Sequence, residues 1–404
     1  MPYHSRRMFI TGMQRSGTTL LEKLLDAQPS LTILSQPAPL LFVEAKRDFL
    51  RTLGEEDARY PLGHLFGETR YTPADFTAFL RDYTLDRERA RALFARMETY
   101  SGQYTRFTRE ETDAALTDAP FVPMMTALWR GLARRDAPVA GAKETTCEEF
   151  LPAFLDAGVS CALIVRDPRD VLASLNHGRG PEFGGALKPT LFNIRQWRKS
   201  VAFALELEGR AGFHWLRYED LTQAPAAELQ RLLANVGRGF SPPTPVPAGP
   251  VPSGPVPAIP VPPTPVPPGP VPPTPVPPIP VPPTPVPPIP VPPTPPEGRA
   301  EATPHIGESM SWGGNSSHGE RRGVSRESVG AYRDVLPRDV IRFVEATCFP
   351  EMRLLGYDAG IREEEAPDIL RSFEEPYTTR DDMTADAVDA HNIAREQQRL
   401  ERLR

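Results

Sequence analysis

Cysteine is scarce in this 404-residue chain, and the three present, Cys147, Cys161 and Cys348, show no metal-type spacing. That rules out a disulfide scaffold and a cysteine-rich metal module, and it fits a reducing compartment with buried structural thiols. No apolar run approaches the length of a membrane span, and no apolar leader core precedes the first strand-like stretch at Met8. The expected setting is cytoplasmic. Basic charge is not in excess either: the formal net charge is −6. General nucleic-acid binding is therefore disfavoured, and any polyanion site must be a local basic pocket.

Proline, in contrast, is abundant. Of the 50 prolines, 31 lie between Ser241 and Pro296, where ten V-P-x-x-P units run without a break from Val246 to Pro295. Such density removes backbone donors and disfavours α conformation, so polyproline II is expected there, about 150 Å long if fully extended. Two readings of the array are open, the first of them favoured. It is a tandem-repeat expansion of a surface loop, or it is a P-x-x-P ligand for an SH3- or WW-type partner through 246–295. Without it, about 350 residues remain, enough for one large core.

Residues 8–27 organise that core. Met8 to Thr11 is a short apolar strand, Gly12 to Gly17 a turn with glycine at each end, and Thr18 to Ala27 a helix with Leu20, Leu21, Leu24 and Leu25 on one face. Strand, glycine turn and helix start together make an anion site. The turn has the spacing of a Walker loop, with Thr19 in its hydroxyl position, but Thr18 stands where the phosphate-gripping lysine belongs. Cationic charge sits inside the turn instead, at Arg15. A single 5′-phosphate held by backbone amides, Arg15 and the hydroxyls of Ser16, Thr18 and Thr19 suits it better than a magnesium triphosphate.

A second stretch points the same way. Cys161 to Val165 reads as a buried strand, Asp167 as the cap of a helix beginning at Pro168, and Arg166 with Ser174 as a fork and a hydroxyl converging on a phosphate. Val139 to Thr146 holds another short strand, ending in Lys143 and Glu144 at the edge where ligands bind in doubly wound sheets. Leu31–Leu34 is a further strand. Residues 45–135 read as mainly helical, with Thr72-Pro73 as a helix start and Phe76, Phe79, Leu80 and Tyr83 as core, the natural place for an acceptor-binding subdomain. Gln196 to Leu207 and Ala226 to Val236 read as helices, and Phe213 to Leu221 as a strand with its exit loop, Trp215, Leu216 and Tyr218 being structural. Val324 to Tyr357 reads as a closing helix pair, and 361–404 as a charged, solvated helical tail.

The Arg15–Leu21 stretch resembles the 5′-phosphosulfate loop of sulfotransferases that use 3′-phosphoadenosine 5′-phosphosulfate (PAPS), and the Arg166 and Ser174 pair resembles their 3′-phosphate site. The glycine- and hydroxyl-rich Ile306–Ser317 stretch resembles the late loop of bacterial members, with Gly313, Gly314, Asn315 and Ser316 on the 3′-phosphate and Trp312 either stacking on adenine or anchoring the loop. The resemblance covers residues 6–240 and 304–358. It implies an α/β fold with a P-loop-like parallel sheet flanked by helices, formed by 1–240 together with 304–360, interrupted by the proline-rich segment 241–303 and followed by the tail 361–404. It implies transfer of a sulfuryl group from PAPS to a hydroxyl or amine without a metal, with Arg15 and Lys143 neutralising the leaving phosphate. The acceptor is a small molecule, glycan, lipid or peptide. Where many relatives carry a glutamate base this chain has Ser35 and Gln36, and where animal cytosolic relatives carry histidine it has Thr145. Glu144, Glu44 and His177 remain as bases, with Glu144 favoured. The alternatives are a P-loop kinase or NTPase, which the missing lysine disfavours, and a proline-rich adaptor on a degenerate transferase domain.

Overall fold

The computed structural model describes residues 6–54, 71–100, 109–134, 136–178, 187–236, 324–377 and 390–403. All of them belong to one compact unit that draws on the chain from both sides of the proline array. The array itself and Trp312 to Ser316 lie outside the described residues.

Among these residues the centre is a five-stranded parallel sheet in the order β2-β3-β1-β4-β5. The strands are β1 (Arg6–Thr11), β2 (Leu31–Ser35), β3 (Val139–Lys143), β4 (Ser160–Val165) and β5 (Phe213–Arg217). β1 lies in the middle, paired with β3 through Ile10 and Lys143 and with β4 through Thr11 and Leu163. The chain therefore winds outward in both directions from β1, and the crevice at its carboxyl end is the switch point where such sheets bind ligands.

Period-two alternation divides the strands between two apolar layers. Met8 and Ile10 face the leucines of α1 (Thr18–Asp26), with Ile33, Ala162 and Ile164 on the same side. Phe9, Leu34, Ala142, Leu163 and Val165 face the larger opposite layer. That layer receives α2 (Pro39–Thr52), α3 (Pro73–Asp82), α4 (Arg87–Tyr100), α5 (Arg109–Ala115) and α6 (Phe121–Leu132). It is rich in aromatic contacts: Phe9 stacks between Phe42 and Trp129, each 5.7 Å away, and Phe42 meets Phe121 and Phe150 edge-on. The helical reading of 45–135 holds for the described part. Thr72 and Asp75 cap each other around Pro73, while Phe76 and Leu80 are buried.

After β3 a short 3₁₀ turn, Glu148–Phe150, leads into α7 (Leu151–Asp156), and β4 into α8 (Pro168–His177), whose start Asp167 caps through the Arg169 amide. α9 (Thr190–Glu206) crosses behind them. β5 passes directly into α10 (Tyr218–Gln223), so the expected exit loop is a helical turn opened by Glu219 and Asp220, and α11 (Pro225–Val236) follows. Beyond the array come α12 (Tyr332–Val335), α13 (Arg338–Thr347) and α14 (Phe349–Leu354), three helices where a pair was expected, then α15 (Ala366–Ser372) and α16 (Ala390–Leu403).

The reading of 361–404 as a solvated tail is overturned for its described part. Ile361, Ala366, Ile369, Leu370, Tyr377 and Leu400 are buried in the larger apolar layer. The charges that suggested solvent are used internally: Glu396 receives Arg198 at 2.7 Å, and Arg399 bridges Glu396 and Glu351 at 2.9 and 3.1 Å. None of the described helices is long and apolar enough to cross a membrane.

Candidate active site at the carboxyl edge of the sheet

Backbone conformation marks the site before any side chain does. Among the described residues, three non-glycine residues have φ in the left-handed region: Arg15 at 67°, Gln36 at 47° and Thr146 at 54°. They lie beyond the ends of β1, β2 and β3, and such conformations persist only where surrounding contacts hold them.

The turn after β1 needs both of its glycines. Gly12 (φ 153°) would set a Cβ 2.5 Å from the Ile164 carbonyl, and Gly17 (φ 101°) would set one 2.3 Å from the Tyr218 ring. Gly17 is also the residue that opens α1, so the amides of Thr18, Thr19 and Leu20 have no carbonyl four residues back within the helix. Ser16 departs from its expected role. Its hydroxyl and its amide both donate to the Met13 carbonyl, at 2.6 and 3.2 Å, and so shape the turn.

Arg15 links the two sequence stretches. Its Nε donates to the Ser174 hydroxyl on α8 at 3.0 Å, and its carbonyl accepts from Arg166 Nη1 at 3.1 Å. Arg15 thus joins Arg166 and Ser174, up to 159 positions away, a meeting that the spacing of either stretch did not announce. Arg166 is nearly buried, lies 4.6 Å over the Tyr218 ring, and donates its Nη2 to the Ser328 carbonyl. Its Nε is buried without a hydrogen-bond partner. The nearest carboxylate, Asp170, is 3.9 Å away. Asp170 is instead a backbone acceptor, taking the amides of Gly330 at 2.7 Å and Tyr332 at 3.0 Å, and burial raises its pKa.

That arrangement exposes what the sequence reading missed. Among the described residues, Ser328 bonds Arg166 while Gly330 and Tyr332 bond Asp170, and the core residue Tyr218 adds a hydroxyl that meets the Ser328 hydroxyl at 2.8 Å. No local pattern announces these contacts. Gly313, Gly314, Asn315 and Ser316 lie outside the described residues.

On the other side of β1, Lys143 is 2% exposed at the end of β3. Its Nζ donates to Gln36 Oε1 at 3.1 Å, while the Gln36 amide returns a bond to the Lys143 carbonyl at 2.8 Å. Glu144 follows, 1% exposed, with Oε1 accepting from the Ala38 amide at the start of α2 at 3.0 Å. Burial pushes its carboxyl up to about 8, opposed by that amide and by Lys143 and Lys46. The two other expected bases are engaged elsewhere. Glu44 pairs with Arg51 at 3.1 Å and with Arg89, and His177 Nε2 meets the Tyr377 hydroxyl at 2.9 Å. Thr145, half-buried, carries no basic group.

Arg15, Lys143 and Arg166 thus bring three cations to one edge of a chain whose net charge is −6. The strand order and the glycine turn opening α1 define a P-loop-like α/β domain without the Walker lysine. The chain belongs to the sulfotransferase family, whose model matches residues 7–242, and it is accordingly a transferase. Solved structures similar to it include the sulfotransferase domain of the curacin biosynthetic pathway, at 19% identity over 58% of this chain and 75% of that one, with a TM-score of 0.31. The sulfotransferase domain of the Synechococcus PCC 7002 olefin synthase matches at 19% over 59% and 77%, TM-score 0.32. A retinol dehydratase solved with retinol and PAP matches at 18% over 60% and 62%, TM-score 0.27. Among curated proteins, none matches the chain.

Proposed function

We propose that this sulfotransferase takes its sulfuryl group from PAPS and delivers it to a hydroxyl or amine of its acceptor. The observation that carries the reading is the convergence of Arg15, Ser174 and Arg166 at the carboxyl ends of β1 and β4. The buried Nε of Arg166, without a partner, supports a fit to an anionic group there, because such a donor gains most from a charged acceptor. PAPS would supply an activated sulfuryl group on a phosphate leaving group. The amides of Thr18 and Thr19, their hydroxyls and the Arg15 guanidinium would hold the 5′-phosphate end. Arg166, Ser174 and the Ser328 and Tyr218 hydroxyls would hold the 3′-phosphate. The absence of the Walker lysine favours this ligand over a triphosphate.

Lys143, oriented by Gln36, neutralises charge that grows on the leaving oxygen. Glu144 takes the proton of the acceptor; its carboxyl is set at the exit of β2 by the Ala38 amide, whereas Glu44 is paired with arginines and His177 with the Tyr377 hydroxyl. Residues 1–240 and 304–360 form the transferase domain in this reading, and the 241–303 segment is an insertion whose P-x-x-P array is an expanded surface loop. The setting is cytoplasmic, and no metal takes part.

Calorimetric titration of the metal-free protein with adenosine 3′,5′-bisphosphate, and separately with Mg-ATP, tests the donor. Binding of the bisphosphate alone, lost in Arg166→Ala, is expected. Binding of Mg-ATP alone would move the chain to a kinase reading.

A further inference from the structure

Behind the strand exits lies a group of four charges for which the proposed chemistry has no use. Lys46 on α2 and Lys199 on α9 face Glu148 and Glu149 of the 3₁₀ turn. Glu149 is in ion-pair contact with Lys46 and 2.9 Å from Lys199, which also reaches Glu148 at 3.2 Å. The Ser200 hydroxyl donates to Glu148. Both carboxylates are fully buried, and two ammonium groups cancel them, so the cluster as a whole is neutral.

One bond leads out of it. Lys46 Nζ donates to the carbonyl of Thr146 at 2.6 Å. Thr146 is the left-handed residue beyond β3, and its loop is laced to the exit of β1. The Glu144 amide donates to the Ile10 carbonyl at 3.0 Å, the Thr146 amide to the Gly12 carbonyl at 2.9 Å, and the Cys147 amide to the Thr11 hydroxyl at 3.1 Å. Lys46 thus grips the middle of a stretch that begins beside Lys143 and ends against the first glycine of the anion turn.

We propose that Lys46 is a positioning residue for group transfer: anchored in the buried cluster, it holds the Glu144–Cys147 loop against the Gly12 turn and so sets the heading of Lys143 and Glu144. The role rests on the reading of those two residues as groups that meet the reacting atoms. Its physical basis is that small displacements of such groups cost large factors in rate, while a left-handed threonine stays in place only if its surroundings force it.

Lys46→Met alone strands a buried carboxylate and risks the fold. The deciding variant is Lys46→Met with Glu149→Gln, which removes one charge of each sign and leaves Lys199 with Glu148. Two readouts apply. In the first, iodoacetamide labels the three cysteines and mass spectrometry gives each rate. Cys147 is expected to react at least tenfold faster than in the wild type, with Cys161 and Cys348 unchanged. In the second, PAPS turnover with 2-naphthol as trial acceptor should lose at least thirtyfold in kcat, with bisphosphate affinity by calorimetry within threefold of wild type. Lys46→Arg, which keeps a donor for Thr146, should restore Cys147 protection and most of the turnover. A wild-type labelling rate at Cys147, acceleration of all three cysteines together, or kcat within threefold of wild type would each overturn the proposal. Failure of the wild type to bind the bisphosphate would count against the PAPS reading instead; the cysteine readout, which uses neither donor nor acceptor, would still decide whether Lys46 holds the loop.

Discussion

As the proposed proton acceptor, Glu144 sets the expected pH behaviour of the site. Burial raises its carboxyl to about 8, so near neutrality most molecules hold it protonated and unable to accept a proton. Turnover should therefore climb as pH passes through about 8. Glu144→Gln should lower it at least about a hundredfold, abolish that climb and leave bisphosphate affinity intact; near-normal turnover would remove Glu144 from the role. The same shift fixes a stability trend. A carboxyl whose folded pKa is raised contributes stability in full below its ordinary value of 4.5 and loses it as pH rises through about 8. Glu22, Asp170 and Glu219, also raised by burial, act in the same sense. Thermal midpoints should fall between pH 6 and 9, and less steeply in Glu144→Gln. At this scale the sequence named Arg15, Lys143, Arg166 and Ser174 because their motif spacing is local. It could not show that Gln36 and Thr146 are left-handed or that Glu44 is matched by Arg89, since these depend on partners distant in the chain, nor that Ser16 bonds within its own turn, which the backbone conformation there decides.

Elements were legible wherever a period was strong. β1, β3, β4 and α1 fall where alternation, helical spacing and glycine signals put them, because each buries one face that its own residues define. The exit of β5 and the burial of the stretch beyond residue 361 were misread for the opposite reason. In these stretches apolar residues are few, and charges find partners more than a hundred positions away, such as Arg198 and Glu396. That pairing gives α16 a measurable weight. Glu396→Ala removes the buried carboxylate that Arg198 meets at 2.7 Å and Arg195 at 3.7 Å, and loss of one buried partner costs about 3–5 kcal/mol. Denaturant unfolding should show a drop of that order; an unchanged midpoint would return 390–403 to the status of a surface appendage.

For the whole molecule, the described residues before and after the ten-unit proline array belong to one unit, and the proposed reading makes the array an insertion into it. Loop closure entropy grows only logarithmically with length, so fifty extra residues add little to the cost of joining the two parts. Deleting 246–295 should leave bisphosphate binding and the thermal midpoint nearly unchanged. Loss of soluble folded protein on deletion would show that the array supports the fold.

The cluster around Lys46 has a consequence in terms of ionic strength. Mobile ions weaken charge pairs that they can approach, such as Arg371 with Asp368 on the surface of α15. Glu148 and Glu149 are sealed from solvent, and their two lysines nearly so. Salt that loosens the encounter with a polyanionic donor therefore leaves the grip on the Thr146 loop untouched, and the site keeps its shape in surroundings where its attraction for the ligand has faded.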